Sequence, residues 1–284
     1  MKKTMLLILL SVSLLVKAQD APVTIPFTLA GSGHIIIKAT MDGEEGNFVF
    51  DTGAGLNAVF GKYAKKLHAQ PTHHFFVGHR STGEEIAANL LVSKELSLGT
   101  LKFKDQYYCS FDLDLPGIDG LISLQAFRNI PVTIDYTNKT LTFGTLKPAD
   151  KKRSIDIQLS DHAGKAVDIF TNVKLNDTLN AQVLLDAGSG KDVYYISSRL
   201  MKPLSIDTAG MQVISRKSEF DTLKTNRYYI GALKSITTEN GVSKKESPRV
   251  VFVEGLIYEG LTSINWLGKK IAISIPEKKI YIIE

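Results

Sequence analysis

Cysteine is almost absent: Cys109 is the only one in 284 residues. A lone thiol excludes any intramolecular disulfide, and an exported protein of this size can fold without one. A nucleophilic role for Cys109 would need a histidine partner in space. Its setting, Gln106-Tyr107-Tyr108-Cys109-Ser110-Phe111, is that of a strand carrying a structural thiol. Concentrated positive charge is also missing. Lys and Arg are scattered, which leaves no nucleic-acid footprint. The short cluster Lys151-Lys152-Arg153 reads as a solvated linker between two halves. No apolar run reaches the length of about 20 residues that spans a bilayer. The longest, residues 5–16, follows Lys2 and Lys3 and precedes Val16-Lys17-Ala18. This is the layout of a secretory signal peptide over residues 1–18, cut after Ala18, and the alternative is an uncleaved anchor. No cysteine follows the run, which argues against a lipid anchor. Cleavage removes Lys2, Lys3 and Lys17 and lowers the formal charge from +5 to +2, 31 basic against 29 acidic residues. The mature chain is expected to be exported, periplasmic or extracellular, in a bacterium, with no stable membrane span. His68, His73, His74 and His79 lie close in sequence but lack a helical i, i+4 pair with an acidic partner. They read as surface histidines, with no metal.

Against this background one stretch stands out, Asn47-Phe48-Val49-Phe50-Asp51-Thr52-Gly53-Ala54-Gly55. An apolar strand delivers a carboxylate into a small, glycine-rich turn. Burying a lone ionised carboxylate is costly, so the strand needs a reason to do it. Ala181-Gln182-Val183-Leu184-Leu185-Asp186-Ala187-Gly188-Ser189-Gly190 has the same layout. Two such turns can set two carboxylates face to face.

The rest of the chain repeats as well. In the first half, residues 22–50 read as strands, residues 59–67 as a helix with Phe60, Tyr63, Ala64 and Leu67 on one face, and residues 74–91 as a hairpin turning at Arg80-Ser81-Thr82-Gly83. Strands are expected at 96–103 and 106–111. Gly117-Ile118-Asp119-Gly120-Leu121-Ile122-Ser123 opens a short helix through Phe127, and a hairpin over residues 132–143 closes the half. In the second half, strands at 155–159, 168–175 and 183–185 lead to Asp186. A short helix is expected at 197–201, a hairpin turn at Asn240-Gly241, and a closing hairpin at 271–283. Glu259-Gly260-Leu261-Thr262-Ser263 mirrors Asp119-Gly120-Leu121-Ile122-Ser123. The aspartates are 135 positions apart and the later glycines 140. One order at nearly one offset reads as an internal duplication.

A duplicated β-rich lobe, with Asp-x-Gly after an apolar strand and a later apolar-Gly-apolar element, resembles the aspartic proteases of the pepsin and retropepsin type. Asp51-Thr52-Gly53-Ala54 fits that motif fully, and Asp119-Gly120-Leu121-Ile122 fits its second element. The lobes are of retropepsin-like size. The resemblance implies an all-β, bilobal acid-protease fold: a first lobe over residues 19–150, a second over 151–284, and a cleft between them. It implies an aspartic endopeptidase acting as a monomer on an extended polypeptide, without metal or organic cofactor. Asp51 and Asp186 would be the catalytic pair, held by Thr52, Gly53, Ala54, Ala187, Gly188 and Ser189. Asp119, Gly120, Glu259 and Gly260 would form the second element of each lobe. The hairpin near His79 to Glu85, with His79 and Gly83, would be the flap.

The implied chemistry is electrostatic. Two carboxylates about 3 Å apart cannot both ionise, so they share a proton. One departure from the family, with Ser123 and Ser263 as milder ones, and one asymmetry between the two turns matter. Ala187 stands where the family has Thr or Ser, so half of the cross-lobe hydroxyl bonding is expected to be missing. That loss is worth about 1 kcal/mol and leaves assembly possible. Ser189 is expected to return its hydroxyl to the Asp186 carboxylate, favouring ionisation there and leaving the proton on Asp51. The competing reading is a non-catalytic peptide-binding or envelope-interaction module on the same fold.

Overall fold

The computed structural model describes residues 21–284 except 147, 149 and 219–222. The signal peptide expected over residues 1–18 lies outside the described residues. No helix among the described residues is long and apolar enough to cross a membrane.

The architecture is all-β and bilobal, in three sheets. In the first lobe the strand Glu44–Asp51 buries Phe48 and Phe50 completely. It pairs antiparallel with Ile35–Met41 and parallel with Gly120–Ser123, in a register that sets Asp51 against Ser123. In the second lobe Leu179–Leu185 pairs antiparallel with Val167–Leu175 and parallel with Gly260–Thr262, setting Leu185 against Thr262. The duplication is therefore a duplication of ladders. Each Asp strand is clamped on both sides, with apolar side chains on both faces, as a central strand requires.

The two lobes share their third sheet. The closing hairpin Val132–Asp135 with Thr140–Phe143 meets the closing hairpin Lys270–Ser274 with Lys279–Ile282. Val132–Asp135 and Lys270–Ser274 pair antiparallel, placing Ile134 opposite Ile271. Val23–Pro26 and Ser154–Asp156 form the two edges of this six-stranded sheet. Ile134, Leu141, Ile271 and Ile280 are fully buried within it. Burial of this apolar face holds the lobes together beneath the Asp turns.

Several local expectations are corrected. The helix expected at 59–67 shrinks to one turn, Gly61–Ala64. Val59 and Phe60 instead end the strand Asn57–Phe60, which pairs with Leu101–Phe111 on one side and Gly120–Ser123 on the other. Two ladders outweigh a helical spacing of four apolar residues. The strand expected at 96–103 breaks at Gly99 and Thr100 into a hairpin turn, with Gly99 at φ 60°. Gly120–Ser123 is a strand, and only Leu124–Phe127 is helical, as a 3₁₀ turn. The helix expected at 197–201 is likewise a 3₁₀ turn, Ser198–Leu200. Asn240-Gly241 does form a turn, closed by the Gly241 amide donating to the Thr238 carbonyl at 2.8 Å.

Candidate active site

Each Asp turn reaches across to the other lobe. The Thr52 hydroxyl donates to the Leu185 carbonyl at 2.7 Å and accepts from the Ala187 amide at 2.9 Å, with Thr52 fully buried. Ala187 has no hydroxyl to return, so the crossing is carried by one side chain. Glycine is required at the meeting point. A Cβ at Gly53 would stand 2.5 Å from the Asp186 Cγ, and one at Gly188 would overlap the Asp51 carboxyl. Each carboxyl thus packs on the glycine of the opposite turn, and the two meet.

Their donors differ. Asp51 Oδ1 accepts from the Gly53 amide at 2.8 Å and the Ala54 amide at 2.9 Å. Burial raises the Asp51 pKa, while these amides, the Asp186 carboxyl and His34 favour its charged form. Asp186 is pushed well above the ordinary carboxylate range, first by burial, then by the charge of Asp51 and the bond to its carboxyl, with the Gly188 and Ser189 amides opposing. Its Oδ1 is buried and has no donor among the described residues. Both carboxyls are raised, and the two amides on Asp51 Oδ1 favour charge there, so the proton of the pair leans toward Asp186. This leaning is opposite to the one expected from Ser189. The Ser189 hydroxyl does not reach the carboxylate; it donates to the Asp186 carbonyl at 2.8 Å within its own turn.

The later glycine elements act as props. Asp119 Oδ2 accepts from the Asn47 amide at 2.8 Å, at the start of the apolar run that ends in Asp51. Glu259 Oε2 accepts from the Gln182 amide at 2.6 Å, the equivalent place in the second lobe. Gly120 and Gly260 lie beneath Phe48 and Val183, in the parallel ladders. A Cβ at Gly120 would strike the Ala58 carbonyl. Asn57 adds a prop not anticipated: its Oδ1 accepts from the Ser123 amide at 2.9 Å. Cys109 is buried, its thiol pushed up to about 12 by that burial, which makes it an inert core group.

The hairpin Gln70–His79 with Glu85–Leu98 overhangs this site. His79 ends its first strand, and Gly83, at φ 85°, completes its turn by donating to the Arg80 carbonyl at 2.7 Å. The tip is docked on the second lobe. The Ile257 amide donates to the Ser81 carbonyl at 2.9 Å, and the Lys224 ammonium donates to the Thr82 carbonyl. Glu84, only 6% exposed, accepts from the Thr82 hydroxyl at 2.5 Å and the Asn226 amide at 3.4 Å, with Lys224 at 3.9 Å. Burial alone would raise its pKa, but hydroxyl donors from Thr82 and Ser218 and the Lys224 charge bring it down to about 2. Nothing in the local sequence marks Glu84 as an anchor, because its partners lie about 140 positions away.

Under the hairpin lies a cavity of about 370 Å³, lined by Gly53, Gly55, Phe76, His79, Phe111 and Asp168 among others. Gly53, Ala54 and Gly55 of the Asp51 turn line it, so that turn is flanked by a chamber with largely apolar walls.

Residues 37–126 match the aspartyl protease family. The matched segment contains the Asp51 turn, the overhanging hairpin and the Asp119-Gly120 element, and stops short of the second lobe. Among solved structures, one described as "Crystal structure of edgp" is similar over 91% of this chain and 94% of that chain, with a TM-score of 0.55 at 8% identity. At that identity the likeness is one of fold. No curated protein matches.

Proposed function

We propose that the chain is an exported aspartic endopeptidase, acting as a monomer on polypeptides in extended form. The observation that carries this reading is the unequal dyad. Two buried carboxyls from equivalent turns of two lobes meet over Gly53 and Gly188, both raised by burial and Asp186 raised further by the charge of Asp51. The ionised Asp51 takes a proton from a water as that water attacks the scissile carbonyl carbon. Asp186 gives its proton to the carbonyl oxygen. The tetrahedral adduct then collapses: Asp51 passes the proton it took from water to the amide nitrogen, the C–N bond breaks, and a hydroxyl of the adduct returns its proton to Asp186 as the new carboxyl forms. The match of residues 37–126 to aspartyl proteases and the docked hairpin over an apolar chamber both support this reading.

The test is cleavage of a denatured protein by residues 19–284, its inhibition by a pepstatin-type compound, and its loss in Asp51→Asn and Asp186→Asn. Both variants should keep the fold. Full cleavage by either variant would rule out the dyad. Absence of cleavage by the unaltered protein would favour the alternative, a non-catalytic peptide-binding module. The half-empty crossing at Ala187 is the observation that keeps that alternative alive.

A further inference from the structure

One acidic side chain in the chamber has no part in the dyad. Asp168 lies on Val167–Leu175 of the second lobe, yet its carboxylate packs on the first lobe's Asp turn. A Cβ at Gly55 would stand 3.1 Å from Asp168 Oδ1. The strand is held there by the Val167 amide donating to the Gly55 carbonyl at 2.9 Å. The Asp168 side chain is 16% exposed, and that exposure faces the chamber. Among the described residues no hydrogen bond reaches its carboxylate, and the nearest basic side chain is the His162 imidazole, with Nε2 at 3.9 Å. His162 is itself held edge-on against Phe76 of the overhanging hairpin, ring centres 5.5 Å apart. Burial and the charge of Asp51 raise the Asp168 pKa to about 7. The titratable groups facing it are thus Asp51, His162 and the Tyr258 phenol.

The duplication shows what is special about this position. Phe170 opposes Leu184 as Ile36 opposes Val49, so Asp168 is the counterpart of His34. The packing repeats too: Gly190 is backed by His34 as Gly55 is backed by Asp168. His34 is occupied by Ser32, whose Oγ lies 2.5 Å from Nδ1. One end of the dyad therefore carries an acid open to a chamber, and the other a histidine held by a serine.

We propose that Asp168 is a specificity-determining residue that receives a cationic side chain, lysine or arginine, of a peptide bound on its flank of the dyad. This rests on the reading that the cleft takes an extended peptide. The apolar walls suit the methylene stem of such a side chain, and the carboxylate at the base suits its head. An entering ammonium supplies the donors that Asp168 lacks in the empty cleft. It also offsets the repulsion from Asp51, so binding favours the ionised form of Asp168.

The experiment uses peptide series in which lysine or its uncharged near-isostere norleucine is placed at each position in turn. Cleavage is read as kcat/KM with the unaltered protein, and binding as Kd with the silent Asp51→Asn protein. One position should favour lysine by about tenfold to a hundredfold, the range of a hydrogen-bonded charge in a desolvated site. Asp168→Asn should erase that preference while leaving norleucine peptides within about threefold, and Asp168→Lys should transfer it to glutamate at the same position. Equal handling of lysine and norleucine at every position overturns the proposal, whether or not the variants fold. If no peptide is cleaved, the endopeptidase reading fails. The binding series still decides the role of Asp168.

Discussion

Thr52→Val is the sharpest probe of how the two lobes are tied at the dyad. The substitution keeps the volume and the β-branched shape of a fully buried side chain, so no cavity opens. It removes one donor and one acceptor together. The Leu185 carbonyl loses the hydroxyl at 2.7 Å, and the Ala187 amide loses its acceptor at 2.9 Å. Both orphaned groups belong to residues no more than 3% exposed, where water cannot replace the partner. Each buried, unsatisfied backbone group costs about 1–3 kcal/mol, so the variant should lose about 2–6 kcal/mol. That is a large share of the stability of an ordinary domain. The assay is urea unfolding followed by the fluorescence of Trp266, with Thr52→Ser as control. The serine keeps the hydroxyl and gives up one methyl, a loss of about 1 kcal/mol. Any peptidase activity should fall further in Thr52→Val than in Thr52→Ser, because the same hydroxyl sets the relative position of the two Asp turns. A Thr52→Val protein within about 0.5 kcal/mol of wild type would refute the argument.

Three further outcomes are expected. Gly188→Ala should abolish catalysis and weaken the fold, since its Cβ would overlap the Asp51 carboxyl and the backbone there has no room to retreat; a crystal structure or activity assay showing an intact dyad would contradict it. Asp168 has a folded pKa of about 7 against 3.8 unfolded, so the native state holds a proton that the unfolded chain has released, and stability should fall as pH rises from about 4 to 7. Asp168→Asn should flatten that fall and be the more stable protein above pH 7, by about 1–3 kcal/mol in urea titrations at pH 4 and 8. Glu84 has the opposite sign: lowered from 4.5 to about 2, it stabilises the docked hairpin above pH 4.5 and loses that effect as pH falls through 2. Glu84→Gln should therefore speed amide exchange across residues 76–87 at pH 7, and unchanged exchange would mean that the tip is held by its backbone contacts alone.

Legibility from sequence followed the range of the interactions. The Asp51 and Asp186 strands were readable because local pattern and turn chemistry agree with the ladders that enclose them. The props at Asp119 and Glu259 were readable only as repeat members. Their hydrogen bonds to Asn47 and Gln182 close across 72 and 77 positions. Residues 59–67 misled because four apolar residues at helical spacing can also end a strand and begin a turn. What decided the matter was pairing with Leu101–Phe111, which the spacing does not encode. Asp168 was invisible for the same reason. In Ala166-Val167-Asp168-Ile169-Phe170 it occupies a polar place in an ordinary alternating strand, and only packing across the lobes sets it against Gly55.

The Ser189 expectation failed on a finer point, and the failure bears on the chemistry. A repeat predicts two like turns, and like turns would leave a shared proton undecided. Here the turns differ in what each receives. Asp51 gains two short amide bonds and the influence of His34, whereas the Ser189 hydroxyl, spent on its own turn's carbonyl, leaves Asp186 Oδ1 without a donor. A buried carboxyl with the poorer set of donors holds its proton more firmly, and the charge of the pair then leans to its neighbour. The asymmetry extends outward, to Thr52 against Ala187 and to His34 against Asp168. Duplication built the frame, and the positions where the halves no longer match are the ones that give the dyad a fixed direction. The two amide donors lie on the first lobe's carboxyl, the stronger upward push on the second's, and the chamber lined by Asp168 opens on one flank.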